Sequence, residues 1–277
     1  METKAVVFFD LDGTLFDDDK RVLPESIAAI KEMQENDILP VIATGRNIFE
    51  IQDVLDQTGI DSVVSANGSY VQYQGQKLFQ ETIDPALIAE FTAFAQKQGD
   101  VVAYYNNEGF AVTGSTPDVV RNYQALRLAV TVDPDYYKTR AINFMNVFNH
   151  DKEDLYNAQF AGQLALVRNN RVCLDTMNSG ITKRSGLERL LKEAGLVGVP
   201  TYAFGDQLND LEMFAGVDTA IVMGNGHPRD KAVADYITTT NTTDGIVNGL
   251  RHYHLIAAPE VANQATTGAS LKMAEGE

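Results

Sequence analysis

Short apolar runs recur along the first eighty or so positions, and each stops abruptly at polar residues. Ala5 to Phe9, Leu39 to Ala43 and Ser62 to Ala66 are too short for helices and too continuous for half-exposed strands. They predict strands buried on both faces. Between them the period changes: Ile27, Ile30 and Met33 follow Pro24 at helical spacing, and Ile48, Ile51 and Leu55 repeat it before Gly59. The order strand, helix, strand, helix, strand predicts a parallel sheet with right-handed crossovers. Tyr70 to Tyr73 and Lys77 to Glu81 flank Gln-Gly-Gln and read as a hairpin.

Around Asp84-Pro85 the character changes. Leu87, Ile88, Phe91, Phe94 and Ala95 mark an amphipathic helix, and Val101 to Tyr105 and Phe110 to Thr113 are strands about an Asn-Asn-Glu-Gly turn. A helix over 117–129, a strand over 142–148, a helix over 153–160 and strands over 164–168 and 172–176 complete a block with enough apolar surface for its own sheet. Residues 83–179 therefore read as a second α/β domain inserted into the first. From Gly180 the first pattern returns. A helix over 182–194 turns Leu187, Leu190 and Leu191 inward, and the strand Thr201 to Phe204 ends in Gly205-Asp206. Helix 210–215, strand 219–223, helix 228–234, strand 236–239 and helix 245–253 follow. The core thus comprises 1–82 and 180–256, and the polar, aperiodic segment 257–277 reads as a disordered tail.

Composition narrows the function. The chain has 277 residues, 44% hydrophobic and 22% charged, an ordinary globular balance. A net charge of −16 argues against nucleic acid or an anionic membrane as partner, because the long-range field repels polyanions. The single cysteine, Cys173, excludes an internal disulfide, and its neighbours Val172 and Leu174 predict a buried, inert thiol. No apolar run reaches the ~20 residues of a membrane span, and the N-terminus lacks a signal peptide's pattern. The expectation is a cytoplasmic protein. Histidines at 150, 227, 252 and 254 lack zinc-ligand spacing.

Reactive residues collect at predicted strand ends and helix starts: Asp10 and Asp12, Thr44, Lys183, and Asp206 with Asn209 and Asp210. In a parallel sheet the C-terminal strand tips open onto one edge, so these four groups converge. Several carboxylates in one crevice repel unless a cation joins them, and Mg²⁺ takes oxygen ligands readily. A lysine and a hydroxyl beside them suit the oxygens of a phosphoryl group. Singly, each residue has a structural reading: Asp12-Gly13 as a hairpin turn, Thr44 as a helix cap, Lys183 as a solvated lysine, Asp210 as a partner for a helix dipole. The run Asp17 to Asp19 reads as a solvated loop.

Taken together, FFDLDGTLF, ATGR, Lys183, FGDQLNDLEMF and the later MGNG with Lys231 resemble the haloacid dehalogenase-like phosphatase superfamily, in its Cof-type branch with a large α/β cap. The resemblance runs from residue 1 to about 253 and is weakest in the cap. It implies a doubly wound, Rossmann-like parallel-sheet core with an inserted α/β cap, and hydrolysis through an aspartyl-phosphate. Asp10 is the implied nucleophile and magnesium ligand. Asp12 is the implied acid and base, its carbonyl a further ligand. The Leu11 and Gly45 amides, Thr44, Lys183 and Asn209 are the implied phosphate contacts. Asp206 completes the metal site and Asp210 acts through water. The string Lys183-Arg184-Ser185-Gly186-Leu187 departs from the branch, which commonly has an alanine-leucine pair there; Asn47 and Gly226 are further departures.

The expected function is a magnesium-dependent phosphatase of small phosphorylated metabolites, with sugar phosphates, flavin mononucleotide and pyridoxal phosphate all compatible. Two alternatives stand beside it: a phosphotransferase or phosphomutase, and a catalytically weak sugar-phosphate-binding regulator. A dinucleotide-binding domain predicts GxGxxG after the first strand, which is absent. Tyr104, Tyr105, Asn106, Asn107, Arg121 and Asn143 are the cap residues singled out as able to face a substrate.

Overall fold

A computed structural model describes residues 2–258. The tail expected from residue 257 lies, from residue 259 on, outside the described residues. The N-terminal part runs β1 (Ala5–Phe9), α1 (Pro24–Glu35), β2 (Ile38–Ala43), α2 (Gln52–Thr58), β3 (Val63–Ser65), β4 (Tyr70–Tyr73) and β5 (Gln76–Gln80). There follow α3 (Pro85–Lys97), β6 (Val101–Tyr105), β7 (Phe110–Val112), α4 (Pro117–Ala125), α5 (Tyr136–Thr139), β8 (Phe144–Phe148), α6 (Glu153–Gln159), β9 (Leu164–Asn170) and β10 (Cys173–Asn178). The described residues end with α7 (Lys183–Glu193), β11 (Thr201–Gly205), α8 (Leu211–Phe214), β12 (Thr219–Val222), α9 (Pro228–Lys231), β13 (Tyr236–Ile237) and α10 (Gly245–His252).

Two sheets result. The larger has the order β13-β12-β11-β1-β2-β3-β4-β5, parallel from β13 to β3 and antiparallel through the hairpin β4–β5. The smaller, β7-β6-β8-β10-β9, is antiparallel and drawn wholly from residues 101–178. β1 is apolar throughout because both its faces are covered. Ala5, Val7 and Phe9 pack with residues of α1, α2 and α10, while Val6 and Phe8 pack with Leu187 and Leu190 of α7 and Met213 of α8. Phe9 stacks on Phe204 of β11 with ring centroids 5.2 Å apart.

Strand order reverses at β1. The chain leaves β1 toward β2 on one side, and β11, β12 and β13 extend on the other. The crevice at the carboxyl ends of β1 and β11 is the place where such a sheet binds ligands. The register aligns Phe9 with Phe204, and the Asp10 amide donates to the Phe204 carbonyl at 3.0 Å, so Asp10 and Asp206 leave adjacent strands side by side.

The expected elements are present with shifted ends. The helix expected to Ala129 stops at Ala125, because Arg127 turns left-handed (φ 58°) and the Leu128 amide reaches back to the Tyr123 carbonyl at 2.9 Å. The one-turn helix α5 had no periodic signal. Gly186, the departure noted after Lys183, has a packing reason. A Cβ there would stand 2.5 Å from Val64 Cγ1 and 2.9 Å from Gly68 Cα, so only glycine lets α7 lie this close to β3 and the turn after it. Gly186→Ala is therefore expected to cost about 1–3 kcal/mol through overpacking, read as a lower urea midpoint at unchanged slope.

Candidate active site

The loop after β1 re-enters the site at once. Gly13 has φ 87°, and a Cβ on it would collide with the Asp206 carboxylate, so glycine is what allows the loop to fold over that group. Thr14 Oγ1 then donates to Asp206 Oδ1 at 3.0 Å, and Gln207 Nε2 donates to Asp206 Oδ2 at 2.9 Å. The later MGNG segment holds the same loop from outside: Asn225 Nδ2 donates to the Gly13 carbonyl at 2.8 Å, and Lys231 Nζ donates to the Gly224 carbonyl at 2.7 Å.

Lys183 opens α7, with Thr182 as N-cap accepting from the Ser185 amide. Its ammonium is buried and lies 2.6 Å from Asp10 Oδ1 and 2.7 Å from Asp210 Oδ1. Asp210 spends its second oxygen on the Asp206 and Gln207 amides, at 3.0 and 3.1 Å. The dipole reading of Asp210 is thus only part of its role: it both caps this turn and pairs the lysine. Burial would lower the Lys183 pKa, but the two carboxylates outweigh it and raise it. Burial, reinforced by Asp210, pushes Asp10 well above the ordinary carboxylate range despite Lys183. Asp206, buried and without an ammonium, is pushed up to about 6.

Asp12 sits differently. Arg46 of the ATGR string grips it through two hydrogen bonds, Nε to Oδ2 at 2.8 Å and Nη2 to Oδ1 at 2.7 Å, and Lys20 Nζ adds a third at 2.6 Å. Burial would raise its carboxyl, but these two cations bring it down to about 2. Neither partner was assigned a role from sequence. The guanidinium reaches across 34 positions, and Lys20 stands just after the aspartate run read as a solvated loop.

Asp10, Asp12, Thr44, Gly45, Lys183 and Asn209 all line one cavity of about 830 Å³. Asp206 and Asp210 lie buried beneath it, and the Leu11 side chain is buried in the core. The Thr44 hydroxyl accepts from the Arg46 amide at 3.1 Å and so shapes the turn rather than capping a helix. Of the six cap residues singled out, Tyr105 lines the cavity. Tyr104 instead bonds Thr92, Asn106 closes its own turn, Asn143 bonds Asn107, and Arg121 pairs with Asp118. Glu50, Asn67 and Asp175 also line the cavity, unforeseen. Cys173 is buried, as its neighbours predicted.

One oxygen each of Asp10, Asp206 and Asp210 lie within 4.8 Å of one another, three buried carboxyl groups of which Asp10 and Asp210 contact the Lys183 ammonium. Such a set is short of positive charge and fits a small, hard divalent cation.

A family model for haloacid dehalogenase-like hydrolases matches residues 7–250. The chain belongs to this family. It is 28% identical over 274 residues to an HMP-PP phosphatase of Serratia proteamaculans, covering 91% of this chain and 98% of the relative. It is 24% identical over 257 residues to the 5-amino-6-(5-phospho-D-ribitylamino)uracil phosphatase YcsE of Bacillus subtilis, covering 90% and 96%. Among solved structures, a hypothetical protein of Geobacillus kaustophilus is 33% identical with a TM-score of 0.83, covering 91% of this chain and 99% of that one. The two curated relatives are named phosphatases. Among the described residues no helix is long and apolar enough to cross a membrane.

Glu50 provides a pH test of the cavity wall. Burial raises it to about 7 although it accepts from the Asn47 amide at 2.8 Å. The native state holds this proton between the ordinary value of 4.5 and about 7, where the unfolded chain has released it. Its contribution to stability therefore falls as pH rises through that window. Glu50→Gln is expected to flatten the decline between pH 5 and 7.5 by on the order of 1 kcal/mol, read from urea unfolding at both pH values.

Proposed function

We propose that the protein is a magnesium-dependent phosphatase of small phosphorylated metabolites, acting through a phosphoryl group carried on Asp10. The observation that carries this reading is the Lys183 ammonium bridging Asp10 and Asp210 at the mouth of the β1–β11 crevice, beside Asp206 and under a cavity large enough for a metabolite. Asp10, Asp206 and the Asp12 carbonyl would hold Mg²⁺, with Asp210 acting through water. The ion would supply Lewis-acid stabilisation of charge on the phosphoryl oxygens.

Lys183 binds one oxygen of Asp10 and thereby orients the carboxylate, leaving its other oxygen to attack phosphorus. The bond from phosphorus to the leaving oxygen breaks as the Asp10–phosphorus bond forms, and Asp12 delivers a proton to the departing oxygen. Asp12 then takes a proton from the water that cleaves the aspartyl-phosphate, restoring Asp10. As held by Arg46 and Lys20, Asp12 is ionised and ready for the second step. A phosphate dianion entering the cavity competes for the same two cations, which frees Asp12 to take up the proton required for the first. Thr44, the Gly45 and Leu11 amides and Asn209 would receive phosphate oxygens.

The division of labour follows the two sheets. Residues 1–82 and 180–256 would carry the chemistry, and 83–179 would cover it, exclude water and select the leaving group. Phosphate release from a panel of phosphorylated metabolites tests the reading. Wild type should release phosphate with Mg²⁺ and stop on chelation, and Asp10→Asn should lower the rate by roughly three orders of magnitude or more while its urea unfolding remains cooperative. Release by Asp10→Asn would place the nucleophile elsewhere. Release that survives chelation would remove the metal.

A further inference from the structure

The cavity wall carries charged side chains of both signs. Lys20, Arg46 and Lys183 stand at the end where Asp10 and Asp12 lie, while the side built by β8, β9 and β10 carries Asp175, with Glu153 at the start of α6 and Glu50 from below. Arg168, the cation on that side, is already engaged: its guanidinium donates to the Asn149 carbonyl and side chain at 3.1 and 3.2 Å and lies 3.4 Å from Glu153.

Asp175 is 5% exposed and is held in a cage of amides. Oδ1 accepts from Asn146 Nδ2 at 2.8 Å and Asn169 Nδ2 at 2.9 Å, and Oδ2 accepts from Asn67 Nδ2 at 3.1 Å. An ionised carboxylate has about four acceptor sites, so one on Oδ2 is left over. The neighbouring Asn67 is 6% exposed, and its Oδ1 accepts no hydrogen bond among the described residues. That oxygen lies 3.2 Å from where a Cβ on Gly45 would stand, so it faces the turn proposed to bind phosphate. Its orientation follows from its partner, since turning the amide over would set oxygen against the Asp175 carboxylate. Asp175 and Asn67 both line the cavity, and each keeps an acceptor position that no donor among the described residues fills.

We infer that Asp175 and Asn67 form a specificity-determining subsite that receives a hydroxyl or amino group of the leaving group, so that the enzyme takes monophosphates bearing such a donor and rejects those bearing a second anion. Discrimination comes from both terms. A donor on the substrate satisfies acceptors otherwise left bare, and a second phosphate or carboxylate would be desolvated against Asp175. The inference rests on the phosphatase reading for its consequence in turnover, but not for its consequence in binding.

The test compares fructose 6-phosphate and glucosamine 6-phosphate with fructose 1,6-bisphosphate. In wild type kcat/KM for the first two should exceed that for the bisphosphate by about tenfold or more. Asp175→Asn, which keeps the shape and removes the charge, should narrow that ratio by about tenfold. A wild type without preference overturns the subsite. So does a variant that lowers all three rates equally, since Asp175 would then serve only to join the two sheets through Asn67. Calorimetric affinities of the same compounds for Asp10→Asn provide the second arm and hold even where Asp175→Asn fails to fold. The same order of affinities without any turnover by wild type would keep the subsite and remove the phosphatase; equal affinities would remove the subsite whatever the turnover.

Discussion

The site depends on one buried ammonium. Taking Lys183 out of water costs several kcal/mol, and excellent geometry is what repays it. The structure supplies that geometry from three separate parts of the chain: Asp10 at the end of β1, Asp210 on the turn after β11, and Lys183 in the first turn of α7. Gly186 lets α7 come close enough to β3 for the lysine to reach, and Asp210 is itself fixed by two amides of its own turn. The pair that orients the proposed nucleophile thus also fastens the switch point of the sheet. Asp206 stands outside this pairing, held by Thr14 and Gln207, and is the carboxyl group with most to gain from a metal.

Asp10 and Asp12 are two residues apart and live in opposite surroundings. Asp10 is buried and stands beside Asp210, so its pKa rises despite the ammonium they share; Asp12 meets a guanidinium and a second lysine at the cavity edge, so its pKa falls. Separating two carboxyl groups in this way is how one fold assigns distinct tasks to identical side chains. The intervening Leu11 points into the core, and so anchors the backbone that splits them.

Much of this was legible in the residue pattern. β1, β2 and β11 are apolar because both faces are covered, and the polar residues that end them sit at one sheet edge, so Asp10, Thr44 and Asp206 converge by topology alone, while Lys183 joins them from the first turn of α7. What was not legible is contact across the chain. Nothing local to Arg46 or Lys20 marks them as partners of Asp12. Asn67 looked like a strand stop, and its bond to Asp175 spans 108 positions. The cap residues singled out for polarity are mostly satisfied by other residues of 83–179, whereas Asp175 and Asn146 lie within strands, where a period-two pattern says which face a residue takes but not what that face meets.

The position of β1 has a consequence for how the chain comes to be folded. It is made before the other described strands, yet it lies between β2 and β11, and its second neighbour is not synthesised until residue 201. During synthesis one edge of β1, with the apolar side chains that α7 and α8 will cover, has no partner until the intervening sheet of residues 101–178 has emerged. That smaller sheet draws all its strands from a continuous stretch and can close first, since its pairings span shorter loops. The nascent protein is therefore a finished insert hanging from an open host sheet, and the unpaired edge of β1 is where chaperones or aggregation would find it.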